Sequence, residues 1–250
     1  MSNVITFYDI PSTLPGKAWS PNTWKTRYSL NFKGLPYKTV WVEYPDIAEL
    51  SKKLGIAPTS EGPNGPSYTL PAIYDPTTGT ALAESTAIAE YLDKTYPDTP
   101  QLLPPGSHSL QHVFISAYMP TLAPLWQFAL PATNKILNPR SEEYFRRTRE
   151  ATFGKTLEDL VPSGAAREVE WAKVKSGYDV VDGWLQKNKA SGPYFLGKEH
   201  TFADFVVASF TIWLKKIWGE DSPEWKDIKT WNEGRWDAFL KELEKYETIL

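Results

Sequence analysis

The chain has 250 residues, 41% of them apolar and 23% charged, with a net charge of −3 at pH 7 and a pI near 5.7. That length supports one large core or two smaller ones, and the charge balance argues against a nucleic-acid binder, which would normally show a basic face. There is no cysteine, which excludes disulfides, thiolate metal sites, iron–sulfur clusters and a cysteine nucleophile.

No window approaches about 18 consecutive apolar residues, so no membrane-spanning helix is expected. The start, MSNVITFYDI, lacks the basic and then apolar pattern of a secretory signal. A cytoplasmic protein is the expectation. Eleven Trp, thirteen Tyr and eleven Phe make the chain 14% aromatic. Such rings fill cores, and they also line sites for flat apolar ligands.

Residues 3–8 (NVITFY) form a β-branched and aromatic run that predicts a strand. A turn-rich loop with Pro11, Pro15 and Gly16 follows. Ser20 then Pro21 reads as an N-cap with proline at the first helical position. In the helix beyond, Trp24, Tyr28 and Phe32 recur four apart and Gly34 stands at the C-terminal cap. The stretch 38–44 (KTVWVEY) predicts a second strand, 46–55 a short helix, and 57–68 a loop rich in Pro and Gly. Residues 69–74 (TLPAIY) predict a strand with Pro71 inside it, and DPTTGT leads to a brief strand at 81–82 and a helix over 84–96. Two crossovers between the first strands suit a parallel pair, and the tight turn suits an antiparallel hairpin.

Residues 97–107 hold four prolines, which divides the chain into 1–97, a linker at 98–107 and a helical part at 108–250. There, 110–137 is broken by Pro120 and Pro124. Helices are expected at 142–160 and 169–189, at 201–218 as a nearly all-apolar central element, and at 224–246 as one amphipathic helix.

Three places can carry chemistry. Ser20 stands at a helix N-terminus, where free amides and the helix dipole favour an anion and a hydroxyl can donate to a thiolate or carboxylate; the same serine also reads as a simple cap. Asn22 adds a second polar side chain. Pro71 fits either a trans edge position or a cis bond that turns the Leu70 amide and carbonyl toward a ligand's backbone. Glu84 and Ser85, at another helix start, can take the amine and carboxylate of an amino-acid-like group, or simply cap the helix.

In this order, Ser20, Leu70-Pro71 and Glu84-Ser85, together with the later GKEHTFADF segment, resemble the glutathione transferase superfamily over nearly the whole chain. Thr201 and Asp204 stand in that segment as a capping pair. SPNTWKTR at 20–27 is similar to the signatures of the zeta- and omega-type enzymes, and the long loop, the 57–67 insertion and the aromatic content look most like the fungal class A transferases related to bacterial β-etherases. The resemblance implies a thioredoxin-like α/β N-terminal domain followed by an all-helical C-terminal domain. It also implies glutathione as co-substrate, Ser20 and Asn22 as catalytic residues, Leu70, Pro71, Glu84 and Ser85 as glutathione contacts, and a homodimer. Lys38, Lys52 and Lys53 stay open for the glycine end of glutathione.

With no cysteine, conjugation, ether cleavage or peroxide reduction fit, whereas exchange through an enzyme thiol does not. A small aromatic or hydrophobic second substrate is expected between the domains, against the 10–19 loop and the kinked 113–128 segment, with Tyr118, Met119, Trp126 and Phe128 as walls. The alternative is a ligandin-like binder of flat aromatic compounds; a third reading, an interaction module, fits poorly with an intact set of site residues. His108, His112 and His200 sit in no nucleophile motif, and no metal is expected.

Overall fold

Residues 5–9 (ITFYD) are buried throughout and form β1 (Ile5–Asp9). The structure is a computed structural model, and it describes residues 4–62 and 65–250. α1 (Pro21–Phe32) crosses from β1 to β2 (Tyr37–Trp41), which runs parallel to β1 with Ile5 opposite Tyr37. α2 (Ile47–Lys53) follows. β5 (Ala72–Asp75) and β6 (Thr80–Ala83) form the antiparallel hairpin that the DPTTGT turn requires. The sheet order is β2-β1-β5-β6, and α3 (Ser85–Thr95) follows the last strand.

Two expectations are corrected here. The 57–68 loop contains a short antiparallel pair, β3 (Ser60–Gly62) and β4 (Gly65–Ser67). Pro71 precedes β5 rather than lying within it, as a residue with no N–H to give a ladder should. The Leu70–Pro71 peptide is cis.

One fully buried ion pair ties β1, α1 and β2 together. Arg27 Nη2 donates to Asp9 Oδ2 at 2.7 Å, with both side chains wholly buried, and Nη1 donates to the Tyr37 hydroxyl and to Thr39 Oγ1. The guanidinium also lies 5.0 Å from the Phe7 ring centre. Burial raises the Asp9 carboxyl above its ordinary range, against the pull of Arg27.

The second half is helical. α4 (His108–Thr121) and α5 (Trp126–Asn134) are separated by a single 3-10 turn and bent by 42°. The break falls at Leu122–Leu125, while Pro120 stays inside the last turn of α4. Then come α6 (Pro139–Phe153), α7 (Leu157–Leu160), α8 (Gly164–Asn188), α9 (Phe202–Trp218) and α10 (Pro223–Leu243). Gly177 lets α8 approach α4 closely: a Cβ there would meet the Thr121 carbonyl oxygen at 2.2 Å. Among the described residues no single helix is long and apolar enough to cross a membrane.

α10 is not the single amphipathic helix that its pattern suggests. Trp231 to Gly234 leave helical geometry, with Asn232, Glu233 and Gly234 at φ 51°, 61° and 79°. Asparagine and glycine tolerate that region best. Asn232 locks the bend by donating to Asp179 and accepting from the Trp236 indole.

α9 is buried along nearly its whole length and packs against α1, so the two halves share a core. Tyr28 stacks on Phe205 at 5.7 Å, and Phe32 meets the same ring edge-on. The Asp204 carboxylate accepts from the Thr201 N–H and hydroxyl and from the Phe195 N–H, which fixes the start of α9. Burial pushes this carboxyl up to about 6. The segment after α10 returns across the first domain. Asn31 donates to the carbonyls of Tyr246 and Thr248, Tyr37 donates to Thr248, and the Thr39 N–H donates to the Leu250 carbonyl.

Candidate functional site

Ser20 is where the strand–loop unit meets α1. Proline at position 21 starts the helix, and the Ser20 carbonyl accepts from Trp24 N–H and the Thr23 hydroxyl. The Ser20 side chain makes no capping hydrogen bond. Ser20 instead lines two adjoining cavities, of about 150 and 380 Å³. Asn22, Tyr44 and Arg149 line both as well.

Asn22 is held from within α1. Lys25 Nζ donates to Asn22 Oδ1 at 2.9 Å, so the amide oxygen faces the lysine and the amide nitrogen, a donor, is the end this contact leaves over. Lys25 is itself buried, 5.1 Å from the Phe210 ring centre. Burial lowers its ammonium to about 8, while the Glu84 carboxylate pulls the other way. Tyr44 stacks on Tyr144 at 5.7 Å, and burial pushes its phenol up to about 12, so it stays protonated well above neutral pH.

The smaller cavity runs from Ser20 and Ile10 to Ser67, Tyr68, Thr69 and Leu70. Leu70 therefore shares it with Ser20 and Asn22. Pro71 and the Glu84-Ser85 pair lie beside it, joined by the Glu84 N–H donating to the Pro71 carbonyl at 3.2 Å. Glu84 sits at φ 80°, ψ 123°, a region that costs a non-glycine residue on the order of 1–3 kcal/mol. Its carboxylate accepts from the Thr86 and Ala87 N–H groups and the Ser85 hydroxyl. The carboxylate thus caps α3 rather than standing open, although its oxygens retain acceptor capacity.

The larger cavity is walled by aromatic rings. Trp19, Met119, Trp126, Phe210 and Trp213 line it, with Phe145, Arg149, Thr152 and Phe153 from α6. Of the four residues expected there, Met119 and Trp126 are present and two are not. Tyr118 turns inward to a small internal cavity beside Tyr178 and stacks on Phe114. Phe128 is buried edge-on against Trp171, beneath Arg167. Each helical residue advances about 100°, so next-door neighbours such as Tyr118 and Met119 face different surroundings.

Two domain models, the N-terminal and the C-terminal domain of glutathione S-transferase, match residues 19–95 and 109–246. The chain belongs to the glutathione S-transferase family. A glutathione S-transferase of Ceriporiopsis subvermispora, solved in complex with glutathione, is 51% identical over 99% of both chains with a TM-score of 0.94. The glutathione transferase GSTFuA3 from Phanerochaete chrysosporium is 45% identical, covering 99% of this chain and 98% of its own, with a TM-score of 0.92. A glutathione S-transferase-like protein of Aspergillus flavus is 36% identical over 95% of this chain and 90% of its own length.

As in that family, the thioredoxin-like domain precedes the helical one. Sequence reasoning named the 10–19 loop that ends in Trp19, and did not find Tyr44, Arg149, Phe210 or Trp213 as cavity residues of this transferase fold. A signal existed for α6: Phe145, Arg149, Thr152 and Phe153 are spaced i, i+4, i+7 and i+8, one stripe of a helix. For α9 the signal was weaker, because its side chains are apolar and buried nearly all round, so the cavity-facing ones do not stand out from the core.

Proposed function

We propose that the protein is a glutathione transferase in which Ser20 activates the thiol of bound glutathione for attack on an aromatic or hydrophobic electrophile. The observation that carries this is Ser20 itself, a residue at a helix N-terminus whose hydroxyl caps nothing and which lines both cavities. Glutathione occupies the smaller cavity, with its backbone against Leu70 and Pro71 and its γ-glutamyl end toward Glu84 and Ser85. Its sulfur sits at the junction, within reach of Ser20 and the Asn22 amide. The second substrate enters the larger cavity between Met119 and Trp126.

The magnitudes are sufficient. Bringing a thiol from about 8.5 to about 6.5 takes about 2.7 kcal/mol. One hydrogen bond to the charged sulfur, plus the α1 dipole, supplies that order of energy. The thiolate then forms a carbon–sulfur bond as the electrophile's leaving group departs, a phenolate in the case of an aryl ether. With a peroxide it attacks the O–O bond, releasing the alcohol and leaving a glutathione sulfenate that a second glutathione converts to the disulfide and water. Serine cannot form a mixed disulfide, so thiol exchange through the protein is excluded by composition.

The test is calorimetric titration of glutathione into the wild type and Ser20→Ala, with ultraviolet titration of the bound thiolate. Both proteins are expected to bind, with the bound thiol's pKa higher by about 1–2 in the variant, the value of one charge-assisted hydrogen bond. A bound thiol that titrates like free glutathione in the wild type would rule the mechanism out. The ring-walled larger cavity also supports a ligandin role for flat aromatic compounds; aromatic binding that survives in Ser20→Ala while turnover is lost would place both roles in one protein. A cytoplasmic homodimer belongs to the same reading, checked by sedimentation.

A further inference from the structure

Arg149 is the one charged side chain among the residues that line the larger cavity. Elsewhere on α6, Arg140 pairs with Asp46 and Arg146 with Glu142, Glu150 and Glu158, while Arg147 lies over the Tyr144 ring and does not line the cavity. Arg149 makes no ion pair among the described residues; its Nη1 donates to the hydroxyl of neighbouring Thr148 at 3.2 Å. Its guanidinium lies 4.5 Å from the centre of the Phe145 ring, which orients the group against an apolar surface. The cavity therefore combines rings that favour a flat arene with a fork of N–H donors that has a hydroxyl partner and no carboxylate partner among the described residues.

From this we infer that the second substrate is an aromatic carboxylate, whose arene lies among Trp19, Trp126, Phe210 and Trp213 while its carboxylate is held by Arg149. A guanidinium matches a carboxylate with two parallel hydrogen bonds, which a neutral isostere cannot reproduce. Among the described residues no carboxylate lines the cavity. The inference deepens the transferase reading by naming the substrate class. Arg149 also borders the smaller cavity, so a carboxylate of glutathione itself is the other source of the same chemistry, and the experiment separates the two.

The probes are 2-naphthoate and its neutral counterpart 2-naphthamide, titrated by calorimetry into wild type, Arg149→Gln and Arg149→Lys, with glutathione titrated separately into each. The wild type is expected to prefer naphthoate by about tenfold or more, the worth of a charge-assisted pair. That preference should fall to near unity in Arg149→Gln and be partly kept in Arg149→Lys, and the loss should persist when both probes are titrated at saturating glutathione, where any change in glutathione affinity no longer enters it. Equal binding of the two probes by the wild type would overturn the inference without recourse to any variant. So would a preference left intact in Arg149→Gln, with or without weakened glutathione binding; the weakened case would assign Arg149 to glutathione. Naphthoate preference that depends on Arg149, in a protein that does not bind glutathione, would support this inference and sink the transferase reading.

Discussion

Some helix starts in this protein use their hydroxyls, and others, at Ser107 and Ser163, do not. Ser222 accepts from the Trp225 N–H, and Thr156 from the Asp159 N–H. Ser20 occupies the same position in α1 and does neither. A cap of this kind contributes about 1 kcal/mol, so the hydroxyl is placed where it stabilises the fold less, and Ser20 lines a cavity instead.

Lys25 shows a similar displacement from ordinary surface chemistry. The folded protein releases its proton near pH 8, whereas the unfolded chain holds it to about 10.5. Between those values the unfolded state binds more protons, so stability rises with pH across the window, by up to about 3 kcal/mol from this group. Lys25→Met should lose that rise. Urea unfolding of both proteins at pH 7.5, 9 and 10 checks it, and parallel stability curves would contradict the assignment.

At the scale of elements, β1, α1 and β2 depend on the Asp9–Arg27 pair. Arg27→Leu leaves a buried carboxylate without its cation and should cost about 3–5 kcal/mol. The Asp9→Leu, Arg27→Leu double variant should recover more than half of that loss, because burying two charges is itself expensive. Denaturant midpoints of the two single variants and the double variant decide it; additive losses would mean that the pair does not act as a unit.

The elements were legible where local chemistry determines them. Proline after Ser20, the DPTTG turn and the Gly34 cap each mark a boundary that the structure keeps. The β3–β4 pair was not legible, since its Pro and Gly content reads as loop and its two strands stabilise each other rather than following from propensity. The bend in α10 was hidden because three consecutive left-handed residues are set by contacts with Asp179 and Trp236, not by the amphipathic pattern. The same limit applies to the site. Ser20, Asn22 and Leu70 share a cavity, as motif order suggested, but Arg149 and Trp213 reach it only through the packing of α6 and α9.

On the scale of the whole molecule, α9 and the segment after α10 join the two halves. α9 meets α1 through Phe205, and residues 246–250 lie across α1 and β2. The change Asn31→Ala removes two hydrogen bonds that hold this segment and should lower stability by about 1–3 kcal/mol. Calorimetric unfolding is expected to lose cooperativity, with the first domain melting earlier; a single undisturbed transition would show that the segment does not couple the halves.

Trp19, Trp126 and Trp213 stand in the wall of the larger cavity, with Trp126 and Trp213 only 5.9 Å apart. These indoles absorb near-ultraviolet light and re-emit it at longer wavelength. A conjugated arene seated among them accepts that excitation through space before it is emitted. The cavity is therefore its own optical gauge: filling it dims the native emission of the chain, and the dimming follows occupancy without any label.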